Sequence, residues 1–122
     1  MARYDKNSDE GMKKRCYTKM RHRCKHMNRY FDLDYEQFIT LCEMNCAYCG
    51  GEPTKTLWKG YKTPWFANGL DRIDSGKGYS MDNVQPCCSM CNRLKSDLGE
   101  MDFLSHLRKI SAFRKLGELT DE

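Results

Sequence analysis

A mostly helical α+β fold, with a hairpin-helix core between two flanking helical parts, is the fold class this 122-residue sequence predicts. Three observations predict it. Two C-x2-C pairs, Cys46-Ala47-Tyr48-Cys49 and Cys88-Ser89-Met90-Cys91, bracket an insert of 38 residues. That insert reads as strand, Gly-containing loop and returning strand. Helical spacing and capping residues mark the segments on either side.

The paired cysteines come first because they set the frame. Two residues between thiolates let one tight turn supply two corners of a tetrahedron, and thiolate is a strong zinc ligand. Cys46, Cys49, Cys88 and Cys91 therefore read as a four-cysteine structural zinc site clamping the ends of the insert. Cys87 offers an alternative register with three residues between it and Cys91, and Cys88 is preferred because it repeats the two-residue gap. Cys16, Cys24 and Cys42 have no partner pattern and read as small buried apolar residues. A disulfide framework would need an oxidising compartment, of which the sequence gives no sign. Only 39% of residues are hydrophobic, so the core is modest and a metal staple suits it.

The elements follow in order. Residues 1–11 read as a polar lead. Met12, Cys16, Met20, Cys24 and Met27 recur at helical spacing and predict a helix over 12–28. Asp34 and Gln37 form a capping box, with Leu33 and Phe38 as a hydrophobic staple, so 35–43 is helical. Residues 46–51 form the first metal knuckle, where glycine permits the turn, and 52–64 read as loop. A strand is expected over 65–73, a loop over 74–82, a short strand over 83–86 and a short helix over 89–96. The last helix starts near Gly99, with Glu100 and Asp102 suiting its dipole and Leu98 and Phe103 as a second staple. Phe103, Leu107 and Ile110 form its apolar stripe, and the tail after Gly117 is acidic. The whole is expected to be one domain: a basic helical part (12–45), a zinc-clamped core (46–97) and a C-terminal helix (98–117).

Charge and hydropathy narrow the function classes. No run of 18 apolar residues exists, so no membrane span is expected. The start of the chain is polar, without a signal-type apolar stretch, and an intracellular location is expected. Net charge is +4, yet residues 13–29 hold eight Lys or Arg and no acid. Lys13, Lys14, Arg15, Lys19, Arg21, Arg23, Lys25 and Arg29 thus form a dense basic segment suited to a polyanion, read as nucleic acid. Arg93 and Lys95, beside the second cysteine pair, join that set.

Inside and beside the insert lie Asp71, Arg72, Asp74, Asn83 and Asn92. A carboxylate at 71 and an amide at 92 are hard oxygen ligands suited to Mg²⁺ or Mn²⁺, which keep waters and accept phosphate oxygens. Such an ion can neutralise a scissile phosphate and its leaving oxygen. Asn83 can bridge backbone groups and hold the loop. Read singly, Asp71, Asp74 and Asn83 are ordinary turn residues; together, between two metal half-sites, they point to phosphodiester chemistry.

The runs Asn68-Gly69-Leu70-Asp71-Arg72-Ile73-Asp74, Gly78-Tyr79, Asp82-Asn83-Val84-Gln85-Pro86-Cys87-Cys88 and Cys91-Asn92-Arg93-Leu94-Lys95-Ser96-Asp97-Leu98 resemble the HNH (His-Me finger) endonucleases, especially the small zinc-containing bacteriophage type. The resemblance implies a ββα-metal core, with Asp71 and Asn92 matching the metal ligands and Asn83 the middle Asn. It implies DNA, taken as double-stranded, as the substrate, nicked by a monomer, and the host cytoplasm as the location if the chain is phage-encoded. The family's general-base histidine follows the metal-binding Asp, and here that position is Arg72. A guanidinium stays protonated and can bind phosphate but cannot take a proton. Asp74 is the favoured substitute base, with His106, His22 and His26 as other candidates. Two further readings stay open: a non-catalytic zinc-dependent nucleic-acid binder on the same scaffold, and an RNA-binding zinc protein.

Overall fold

A computed structural model describes residues 9–55 and 65–119. The order is α1 (Asp9–His26), β1 (Phe31–Asp32), α2 (Tyr35–Cys42), β2 (Thr54–Lys55), β3 (Phe66–Ala67), β4 (Gly69–Arg72), β5 (Tyr79–Ser80), β6 (Val84–Cys87), α3 (Ser89–Lys95) and α4 (Glu100–Arg114), with a 3-10 turn at 116–119. The expected lead over 1–11 and tail after Gly117 lie mostly outside the described residues.

Met12, Cys16 and Cys24 bury one face of α1, and Met20 packs against them, so the stripe of soft apolar residues is the helix's inner side. Met27 does not join it and is 48% exposed. The helix ends two residues earlier than its periodicity predicts because Asn28 adopts a left-handed conformation (φ 56°). Arg29 N then donates to Cys24 O at 2.7 Å, the long bond of a Schellman-type C-terminus. This stop turns Arg29 back toward the rest of the molecule.

In α2 the capping box is complete: Gln37 N donates to Asp34 Oδ1 at 2.8 Å and Asp34 N to Gln37 Oε1 at 3.0 Å. Leu33 and Phe38 are both buried in the main core with Ile39, Leu41, Cys42, Trp65, Leu70, Tyr79 and Val84. Tyr17 joins α1 to this core, its ring against Phe31, Tyr35 and Phe38 and its hydroxyl donating to Leu33 O at 2.6 Å. Burial raises the pKa of Cys16 to about 11 and that of Cys42 to about 12, so both are thiols and pack as apolar groups.

The strand expected over 65–73 is two strands that serve different partners. β3 pairs antiparallel with β2, in a stretch read from the sequence as loop, and β4 pairs antiparallel with β6. The break falls at Asn68. Its backbone N–H donates to Cys42 O at 2.7 Å and its side-chain amide to Met44 O at 2.9 Å, so the chain there is tied to the end of α2. The rest of 52–64, apart from β2, lies outside the described residues beyond position 55.

β4 and β6 form the central hairpin, with Asp71 opposite Gln85 and Arg72 opposite Val84. A parallel bridge between β1 and β5, unsignalled in the sequence, fastens the hairpin loop to the turn after α1. It depends on Gly78: a Cβ there would clash with Tyr30 O, a backbone atom. Gly78→Ala is expected to destabilise the fold by about 2 kcal/mol, as overpacking does, read as a lowered urea midpoint at unchanged m-value.

α3 is capped by Cys88, whose Sγ accepts from Cys91 N at 3.3 Å. α4 starts at the Gly99 N-cap as expected, but only Phe103 of its stripe is buried. Leu98 is 44% exposed, and Leu107 and Ile110 are each 41% exposed, so the staple and the later stripe do not enter the core. Beyond Phe103 the side chains of α4 are largely exposed, so its sequence periodicity overstates its burial. Among the described residues no helix is long and apolar enough to cross a membrane.

Candidate nuclease centre and cysteine clasp

The thiols of Cys46, Cys49, Cys88 and Cys91 lie within 4.8 Å of one another. Cys49 Sγ and Cys88 Sγ are 3.7 Å apart. A tetrahedral ion with Zn–S bonds of about 2.3 Å sets its sulfurs about 3.8 Å apart, so the cluster is of the right size for zinc. The clasp is built locally on each side. Gly50 N donates to Cys46 O and Cys46 N to Gly51 O, closing the first knuckle, and Gly50 takes the positive φ (75°) that this turn requires. Burial disfavours the Cys46 thiolate, but donation from the backbone of Cys49 and its neighbours outweighs it and lowers the pKa to about 6. Cys87 stands outside the set, fully buried, its thiol donating to Cys88 O, and burial pushes its pKa to about 12.

Beside the clasp, β4 carries Asp71 into the interior. Its Oδ1 is 3.0 Å from Lys95 Nζ, an ion pair with the two side chains 4% and 1% exposed. Lys95 Nζ also donates to Arg72 O at 3.1 Å. Asp71 Oδ2 accepts from Tyr48 Oη at 2.7 Å and, at 3.5 Å, from Gln85 Nε2. Three elements thus converge on one carboxylate: the metal knuckle, the returning strand and α3.

Asp71 and Asn92 line the same cleft, a cavity of about 160 Å³, with Arg23, Arg29, Arg72, Tyr79, Lys95 and Asp97 among its other walls. The side-chain amide of Asn92 and the carboxylate of Asp97 make no hydrogen bond with any described residue. Four cationic side chains against two carboxylates give the cleft a positive balance that favours a phosphate. Asp71 and Asn92 carry hard oxygen donors and line one cavity, a donor set whose chemistry suits a divalent ion of the Mg²⁺ type. Because Lys95 already neutralises Asp71, such an ion would share that carboxylate. A larger cavity of about 660 Å³ adjoins the cleft through Arg23, Leu70 and Asn92.

The structure superimposes on that of the rare-cutting HNH restriction endonuclease PacI with a TM-score of 0.60, covering 86% of this chain and 81% of that one at 23% identity. The fold is HNH-like. In sequence, the chain is 34% identical over 85 residues to the uncharacterized protein R423 of Acanthamoeba polyphaga mimivirus. That stretch is 70% of this chain and only 14% of the viral protein's length. No protein-family model matches the chain.

Within this HNH-like frame the remaining sequence-predicted residues take distinct places. Asn83, buried, braces the loop: its Oδ1 accepts from Asp74 N at 2.9 Å and its Nδ2 donates to Gly78 O at 2.8 Å and Asp74 O at 3.1 Å. Arg72 lines the cleft, and its Nη1 donates to Ser75 O at 2.8 Å and Lys77 O at 3.2 Å, so one nitrogen of the guanidinium fastens the loop. Asp74 does not line the cleft; its Oδ1 accepts from Gly76 N at 2.9 Å, the bond of an Asx turn. His22, His26 and His106 are exposed and equally absent from its walls.

The basic segment divides. Arg23 and Arg29 reach the cleft, and Lys19 lines the larger cavity. Lys13 instead pairs with Glu43 at 3.1 Å, and Lys14 lies over the Tyr35 ring, 3.8 Å from its centroid. Arg21 stacks near Tyr17 at 5.6 Å. Arg15, Lys25 and Arg93 are exposed. Lys95, expected among the surface phosphate contacts, is interior because the single turn of α3 from Asn92 to Lys95 directs it at Asp71. Sequence reasoning missed Tyr48, Gln85 and Asp97. The first two carry no motif signal. Asp97 had one available: it is the only other acid beside the Asn92 run.

Proposed function

We propose that this chain is a divalent-metal-dependent endonuclease of the HNH type that nicks DNA, one domain stapled by zinc at Cys46, Cys49, Cys88 and Cys91. The observation that carries the reading is the shared cleft: Asp71 and Asn92 on one wall, with Arg23 and Arg29 of the basic segment converging on the same space. Four thiolates leave no open position, so the clasp is structural.

Asp71 and Asn92 would hold a Mg²⁺ or Mn²⁺ ion, whose chemistry is charge neutralisation at the scissile phosphate and its leaving oxygen. Arg23 and Arg29 hold the phosphate by charge-assisted bonds. Lys95 keeps Asp71 in place. Arg72 and Asn83 brace the 74–78 loop beside the cleft. Arg72 cannot accept a proton and Asp74 does not line the cleft, so the base we assign is Asp97, a carboxylate that lines it and would take the proton of the attacking water.

The test is relaxation of supercoiled plasmid with Mg²⁺ or Mn²⁺. Asp71→Asn and Asn92→Ala should both abolish nicking. Asp97→Asn should slow it by about 10²-fold or more, while Asp74→Asn should stay within a few-fold of the parent. Equal nicking by all variants would reject the reading. Loss in Asp74→Asn but not in Asp97→Asn would return the base to position 74.

Arg72 supports a second reading. A guanidinium locked into the loop where a base is needed also suits a non-catalytic nucleic-acid binder on the same scaffold. That protein would bind DNA with steep salt dependence and leave plasmid intact with any divalent ion.

A further inference from the structure

We propose that Tyr48 is a positioning residue that orients the Asp71 carboxylate and makes that orientation depend on the cysteine clasp; this rests on Asp71 acting as proposed above. Tyr48 sits between two clasp cysteines in Cys46-Ala47-Tyr48-Cys49. The backbone of that knuckle has little freedom. It is closed by Gly50 N to Cys46 O and Cys46 N to Gly51 O, and clipped to the hairpin by Ala47 N donating to Pro86 O at 2.8 Å. The side chain is equally constrained. Its ring meets the buried Phe103 ring edge-on, 5.2 Å between centroids at 86°, and packs against Cys46, Cys87 and Cys91.

From this fixed ring the hydroxyl donates to Asp71 Oδ2 at 2.7 Å. The two carboxylate oxygens are held from different directions, Oδ1 by Lys95 at 3.0 Å and Oδ2 by Tyr48. The other donor to Oδ2, Gln85, is 3.5 Å away and makes its shorter bond, 2.8 Å, to Glu100 Oε1. Without the Tyr48 hydroxyl, Asp71 is held firmly at one oxygen only and its plane can turn about that contact. An ion held by the four cysteines would fix the knuckle further; the knuckle positions Tyr48, and Tyr48 holds the carboxylate. Outer partners of a metal-binding carboxylate commonly alter activity or metal affinity by about 10- to 100-fold.

Tyr48→Phe keeps the ring and removes only the hydroxyl. In the nicking assay its kcat should fall about 10-fold with KM for plasmid unchanged, and the Mn²⁺ concentration for half-maximal rate should rise several-fold. With Co²⁺ loaded into the cysteine clasp, its absorption spectrum should match the parent's, showing the clasp intact. The side-chain ammonium resonance of Lys95, followed by NMR without DNA or divalent ion, should shift or broaden as Asp71 loosens. Phe103→Leu, which keeps the hydroxyl but loosens the ring, should give a smaller loss in the same direction.

An unchanged Lys95 resonance, or a parental kcat for Tyr48→Phe while Asp71→Asn is inactive, would overturn this proposal alone. Parental nicking by Asp71→Asn would overturn the nuclease reading and this proposal with it.

Discussion

Cys91→Ser is expected to leave the chain without a cooperative unfolding transition and with poorly dispersed amide resonances. Structural zinc contributes on the order of 10–16 kcal/mol of binding free energy in small zinc modules, against a total stability of about 5–15 kcal/mol for a typical domain. The geometry explains why so much depends on four thiols here. The largest sheet pairing among the described residues is the four-residue β4–β6 hairpin, and the other pairings are two residues per strand. α4 buries only Phe103. The clasp ties the chain before the hairpin to the start of α3, and the small second cluster of buried residues consists of its own cysteines and Cys87. Circular dichroism with zinc quantification checks the result; a variant that melts cooperatively near the parent's Tm would show that packing alone holds the hairpin.

Lys95→Met carries the second large effect, a loss of about 3–5 kcal/mol in urea unfolding, the usual consequence of leaving one partner of a buried ion pair uncompensated. Here Asp71 would remain buried with only neutral donors, Tyr48 and Gln85. The double variant Asp71→Asn/Lys95→Met removes both charges and should lose much less than the sum of the singles, a coupling that a double-mutant cycle isolates. Additive losses would mean that the pair is exposed to water in solution. DNA binding by Lys95→Met should be read at temperatures where it is folded, since the same side chain walls the cleft.

The parts of this fold that were legible in the sequence are those specified by neighbours in the chain. Asp34 and Gln37 announce the start of α2 because a capping box is a three-residue device. The cysteine clasp was readable because ligand chemistry demands a short, fixed spacing. The hairpin's existence was readable from two strand-like runs about a Gly-containing loop, but its division at Asn68 was not. That break exists because Asn68 reaches residues at the end of α2, a contact of long sequence separation. The β1–β5 bridge is illegible for the same reason, being two residues long and held by Tyr30 and Gly78 meeting across the fold. Lys95 shows the limit most plainly. A lysine in a charged run reads as surface, and only the placement of α3 against β4 reveals it as the partner of Asp71. Asp74, close in sequence to Asp71, is not among the residues that line the cleft, and its Oδ1 accepts from Gly76 N.

The Arg72 fastener has a consequence for any attempt to write histidine at position 72. Writing His at position 72 supplies an imidazole but deletes both links to Ser75 and Lys77 that keep the neighbouring segment folded inward. A lone exchange therefore trades one defect for another. Placing a proton acceptor there without loosening the loop calls for a companion change that re-anchors those two carbonyls.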